Sequence, residues 1–145
     1  MSSGLLWVVY RLQEARQVGL VTLSGVDWTN RKAQLAIGST GTMNPIESAK
    51  AMMLAIHFSF FVAGLNKLYT YVYEDNPRSL EQTLGLGFRH EGRLTDHVRD
   101  TTGAFVSVDA TGLTRAQLTE SRTLQRIAKR MIGVDWAYGD VPQRK

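Results

Sequence analysis

The sequence contains no cysteine, and that single absence removes disulfide bridges, thiolate metal ligands and cysteine nucleophiles together. Histidine is scarce as well: His57, His90 and His97 show no spacing that would hold zinc, so no metal site is expected. Long apolar runs are missing. The longest, AMMLAIHFSFFVAGL at residues 51–65, is interrupted by His57 and falls short of the ~20 residues that span a bilayer, so it reads as a buried helix. The opening MSSGLLWVVYRL has neither the basic start nor the small-residue cleavage site of a secretory signal, and a cytoplasmic protein is expected. No low-complexity tract or internal repeat appears, and 145 residues suit one domain with one apolar core.

What is present begins with a formal net charge of +4. Much of the excess lies in SRTLQRIAKRMIG and the terminal QRK. That is the pattern of a solvated helix face and a tail, with an acidic partner such as a nucleic acid or a phosphorylated cofactor as the other reading. LLWVVYRL and VGLVTLSGVDW flank the polar QEARQ and predict an antiparallel hairpin; KAQLAIG extends it to a three-stranded meander. In NPIESAK, Asn44 can cap a helix, Pro45 suits its first position and Glu47 completes a capping box. The periodic apolar residues that follow predict a helix ending near Gly64, then a central strand in NKLYTYVYED. A second Asn-Pro start, Asn76-Pro77, opens a short helix through about Leu84. Gly87-Phe88 returns the chain into a strand pair, FRHEGRLTDHVRD and AFVSVDATGL, before a basic helical end.

This order places the loop GSTGTMN between a strand end and the start of the long helix, where backbone N–H groups and the helix dipole favour an anion. Residues from about Gly19 to Leu118 then resemble the GNAT N-acetyltransferases, in particular the branch that acetylates ribosomal-protein N-termini. The resemblance is carried by VGLVTLSGVDWTNRKAQLAIG, ESAKAMMLAIHFSFFVAGLNKLYTYVYEDNPRSL, LGFRHEG and ATGLTRAQL, in family order. It implies an α/β (α+β) fold with a mixed, splayed sheet flanked by helices, acetyl-CoA in the splay, and acetyl transfer to a primary amine of a protein or small molecule. It also implies a domain over 1–119 that lacks the family's usual N-terminal strand and helices, followed by a basic helix and tail over 120–145.

Carried over by position, the resemblance puts Leu35, Ile37 and Gly38 beside the pantetheine arm, and Ser39, Thr40, Gly41, Thr42, Met43 and Asn44 around the pyrophosphate. Asn76 and Ser79 fall close to the cofactor, although for Asn76 a helix cap explains the residue equally well. Of the family's phosphate loop only Gly41 is matched, and Met43 is expected to crowd the approach. A tyrosine that many relatives use as proton donor falls on Thr83, whose hydroxyl is a far weaker acid; a strand carboxylate is replaced by Gln34, which cannot act as a base. Ser79 and Glu47 are the candidate catalytic replacements. Tyr69, Tyr71 and Tyr73 read as core or sheet-surface residues, and His57 as a hydrogen-bonded interior residue. The alternatives are a catalytically reduced GNAT-like binding or assembly module, or an enzyme acting on nucleic acid. Large apolar residues near the two ends, Leu5, Leu6, Trp7 and Trp136, point to a homodimer or hetero-complex, unless the C-terminal segment folds back onto its own chain.

Overall fold

A computed structural model describes residues 4–39 and 43–136. The expected meander is present: β1 (Leu5–Arg11), β2 (Arg16–Asp27) and β3 (Lys32–Ser39) pair antiparallel in sequence order, with one 3-10 turn, Leu12–Glu14, between the first two. The long helix α1 (Pro45–His57) starts as its sequence dictates. Asn44 Oδ1 accepts from the Glu47 N–H at 2.9 Å, and Glu47 Oε1 accepts from the Asn44 N–H at 3.0 Å, so two donors at the helix start are satisfied reciprocally.

The helix does not run unchanged to Gly64. The Ser59 hydroxyl donates to the Ala55 carbonyl at 2.7 Å, and the chain widens into a π-turn over Phe58–Val62 that the Ala63 N–H closes onto the Phe58 carbonyl. A serine that competes for a carbonyl four residues back is a local cause for such a bulge. Strand β4 (Lys67–Tyr73) follows, then α2 (Pro77–Gly85), β5 (Arg89–Arg99) and β6 (Phe105–Thr114). The basic end, expected as one helix, forms two: α3 (Arg115–Glu120) and α4 (Arg122–Ile132). The break falls at Ser121, whose hydroxyl accepts from the Leu124 N–H at 3.2 Å and so starts a new helix.

The sheet order is β1-β2-β3-β4-β6-β5, and the fold is mixed α+β with four α-helices among the described residues. Alternation in β4 shows which face is covered: Leu68, Thr70 and Val72 are buried, whereas Lys67, Tyr69 and Tyr71 are only half-buried. One apolar core unites Leu23 and Leu35 of the sheet with Ile56, Phe60, Phe88 and Leu118. The C-terminal segment enters the same core. Leu124 and Ala128 of α4 are buried, and Trp136 is 1% exposed with its Nε1 donating to His57 Nδ1 at 3.0 Å. For Trp136 the fold-back alternative is therefore what the chain adopts, while Leu5 and Leu6 on the edge strand stay exposed.

The Gly-Phe pair also finds its reason. Gly87 has φ +94°, and a Cβ there would lie 2.3 Å from Leu124 Cδ1, so only glycine lets α4 approach; Phe88 then fills the core at 2% exposure.

Candidate functional site

Strands β3 and β4 form the one parallel pair among the described residues, and they touch only at Lys32↔Lys67, Ala33↔Leu68 and Gln34↔Tyr69. Beyond Gln34 they part. The β4-facing edge of Leu35–Ser39 is left without a strand partner, although the other edge stays paired with β2 as far as Ser39. A row of unpaired backbone donors and acceptors beside a cleft is a template for an extended ligand bearing amides.

The cleft is real space. A cavity of about 260 Å³ lies between Ile37 of β3, Ala49 and Met52 of α1, Ser79 and Thr83 of α2, and Ile127 and Met131 of α4. Among the described residues no charged side chain lines it. Its walls combine apolar residues with the polar residues Ser48, Ser79, Gln82 and Thr83 on the two helices that flank the splay.

The residues expected here fall in different places. Ile37 and Ser79 line the cavity, and Gly38 continues the free edge of β3 with nothing within 4 Å of a built Cβ. Leu35 is fully buried in the core, so only its backbone faces the splay. Asn44 and Asn76 act as caps; Asn76 Oδ1 accepts from the Ser79 N–H at 3.2 Å, and neither lines the cavity. Met43 packs toward β2, its methyl 2.5 Å from where a Cβ on Gly19 would stand. Thr40, Gly41 and Thr42 lie outside the described residues.

The two catalytic candidates are not brought together. Glu47 faces a different cavity, of about 400 Å³, between α1 and β1, where Arg11 binds it through two nitrogens at 2.9 and 2.6 Å. These bonds, chiefly those from Arg11, hold its carboxyl down to about 2, and its Oε1 also accepts the capping bond from the Asn44 N–H. Thr83 is equally committed: its hydroxyl donates to the Ser79 carbonyl at 2.8 Å. Ser79 lines the cleft. Sequence reasoning missed Met52, Gln82, Leu86, Ile127 and Met131; for Gln82 and Leu86 the signal was available, since they follow Ser79 at helical spacing.

On the opposite face of the sheet, below the same strand pair, lies a depression of about 320 Å³ between Lys32, Lys67, Tyr69, Tyr71, Glu91 and Thr111. Lys67 binds Glu91 at 2.8 Å. Tyr69 stacks obliquely on Tyr71 at 5.7 Å, and Tyr71 meets His97 edge-on at 5.5 Å. Burial pushes the Tyr69 phenol up from its ordinary value, so it stays protonated. The tyrosines thus take the sheet-surface role. His57 accepts from Trp136 and packs against Phe61, the interior role expected of it.

A mixed sheet in this order, opened between its parallel strands and flanked by helices at the opening, is the fold of the GNAT N-acetyltransferases. No protein-family model matches the sequence, and no curated protein does. Solved structures match well. A chimera of the spermidine N-acetyltransferase SpeG from Vibrio cholerae and hSSAT is 23% identical over 79% of this chain and 68% of that one, with a TM-score of 0.73. The spermidine/spermine N-acetyltransferase SpeG from Vibrio cholerae in complex with manganese ions gives 23% over 80% and 66%, with a TM-score of 0.70. A dodecameric structure of spermidine N-acetyltransferase from Vibrio cholerae gives 22% over 83% and 68%, with a TM-score of 0.71. At this identity the likeness is one of fold. Among the described residues no helix is long and apolar enough to cross a membrane, and no cluster of three or more His, Asp or Glu could hold a metal ion.

Proposed function

We propose that this chain is an acyl-CoA-dependent N-acyltransferase that moves an acetyl group from acetyl-CoA to a primary amine. One observation carries the reading: β3 and β4 part after Gln34 and Tyr69, leaving a free backbone edge beside an apolar cavity between α1 and α2. An arm rich in amides and methylenes fits both features, because its amides can pair with the edge from Leu35 onward while its apolar stretches bury against Ile37 and Met52. When bound, the thioester supplies an activated acyl group.

The chain's own part is mainly binding and positioning. Leu35–Ser39 aligns the arm, and Ser79 offers a hydroxyl at the cleft wall. The open opposite face gives an amine its approach to the splay, past Tyr69 and Tyr71. With Gln34 at the apex, and Glu47 and Thr83 held in other bonds, the described residues provide no carboxylate base at the cleft. The amine therefore arrives neutral, and the rate should follow the fraction of unprotonated acceptor. Similar solved structures are spermidine acetyltransferases, which favours a small polyamine as acceptor; the sequence motifs favour a protein N-terminus.

Committed polar groups at Glu47 and Thr83 also favour a second reading, a GNAT-fold module that binds the acyl-CoA without turnover. Thiol release from acetyl-CoA, measured with spermidine and with an alanine-initiated peptide, separates the two: turnover with either acceptor supports the enzyme, and binding without turnover supports the module. Ser79→Ala should weaken coenzyme A binding at unchanged stability. Asn76→Ala should cost about 1 kcal/mol of stability through its cap and leave binding intact. Absence of coenzyme A binding to the parent chain refutes both readings.

A further inference from the structure

The splay cavity has a mismatch with its proposed ligand that the rest of the chain resolves. At about 260 Å³ it lies below the roughly 300–1,000 Å³ of sites that enclose a whole drug-sized ligand, and among the described residues no charged group lines it. It can hold an arm; the phosphorylated nucleotide end must sit at its rim, where nearby cations would pair with its charge.

We propose that Arg126 and Arg130 of α4 form that cationic rim and bind the phosphates of the coenzyme A nucleotide, an inference that rests on the acyltransferase reading above. Helix geometry places them. Leu124 and Ala128 anchor α4 in the core, and Ile127 and Met131 line the cavity, so the helix rolls from core to cleft to solvent in that direction. At about 100° per residue, Arg130 stands about 60° round from Ile127 and Arg126 about 100°, both on the solvent side of the cleft wall. Arg122 and Lys129 stand about 140° and 160° away, over the far flank. Both arginines are exposed, and neither has an ion-pair or hydrogen-bond partner among the described residues. Their i, i+4 spacing puts the two Cβ atoms about 5–6 Å apart, a span that two guanidinium groups can use to grip neighbouring phosphates. No acid lies on α4 to compete. The dipole at the C-terminal end of the helix opposes an anion, so binding here depends on the guanidinium charges themselves.

The far flank of the helix supplies a charge-matched control. Calorimetric titration with coenzyme A and with pantetheine should be run on the parent, on R126Q/R130Q, on R122Q/K129Q and on R126K/R130K. R126Q/R130Q should bind coenzyme A about tenfold or more weakly, with pantetheine affinity unchanged. R122Q/K129Q removes the same net charge and should stay within about threefold of the parent, with the lysine pair in between. Equal weakening by the two glutamine pairs would reduce the effect to net charge and overturn the proposal, as would an unchanged affinity in R126Q/R130Q. If pantetheine and coenzyme A both fail to bind the parent, the acyltransferase reading falls and this inference with it; if both bind and only the arginine effect is absent, this inference alone falls.

Discussion

Replacing Trp136 tests whether the end of the chain belongs to the same cooperative unit as the cleft. The indole is 1% exposed, donates to His57 Nδ1 at 3.0 Å, and stacks with His57 and Phe61 at centroid distances of 6.4 and 6.3 Å. Trp136→Phe keeps most of the apolar volume and removes the donor. The lost hydrogen bond is worth about 0.5–1.5 kcal/mol net, and a His57 acceptor left partly desolvated adds to it, so the total should be about 1–3 kcal/mol. Trp136→Ala also opens a cavity and should cost about 3–5 kcal/mol. For a chain of this length each kcal/mol lowers Tm by roughly 2–4 °C. Urea unfolding followed by far-ultraviolet dichroism should show the midpoint falling at constant slope in the order wild type, Phe, Ala. An Ala variant as stable as the parent would mean that the segment beyond α4 contributes nothing to the core, and the account of Trp136 as its anchor would be wrong. Because α4 carries Ile127 and Met131 on the cleft wall, the same variants should also weaken coenzyme A binding before they unfold the sheet.

Two further outcomes follow from named contacts. The Glu47 carboxyl lies below its ordinary 4.5, at about 2, so its stabilising contribution is full above about pH 4.5 and is lost as the pH falls through about 2; Glu47→Gln should flatten that acid limb of the stability curve, and an unchanged limb would show that Arg11 does not hold it. Gly87→Ala forces a non-glycine residue to φ +94° and pushes a methyl against Leu124, which should cost roughly 2–4 kcal/mol, measurable as a fall in urea midpoint; a neutral substitution would refute the close approach of α4.

Local chemistry made most of the fold legible. Both Asn-Pro helix starts, the meander and the return at Gly87-Phe88 are set by caps, alternation and turn residues within a few positions of one another. Two details were hidden because they depend on competition for a backbone group: the π-turn at Ser59 and the helix break at Ser121 each arise from a serine hydroxyl that prefers a backbone partner to solvent. The candidate site was half visible. Ile37 and Ser79 sit on short, well-defined elements whose direction follows from the strand and helix they occupy. Ile127 and Met131 come from sequence far beyond the splay, and nothing local says that α4 folds onto it. The pairing of Glu47 was hidden for the same reason, since Arg11 is 36 positions away and meets it only once β1 lies beside α1.

The same distribution of contacts says how the molecule divides its work. Several charged groups near the sheet are paired: Arg11 with Glu47, Lys67 with Glu91, Arg93 with Glu74, and His90 with Asp109. Among the described residues none lining the cleft between β3 and β4 is charged, so a neutral, amide-bearing arm loses little solvation on entering, whereas a charged ligand would find no counter-ion among them. Arg126 and Arg130, on the exposed face of α4, stand outside it, next to the two apolar residues that wall the cleft. An uncharged channel bordered by unpaired guanidinium groups sorts a ligand by its two ends: an apolar, amide-bearing end goes in, and a polyanionic end is held at the rim. That is the polarity of an acyl-CoA, and under the proposal above the orientation of its thioester would follow from where the chain puts its arginines rather than from any single residue at the apex of the splay.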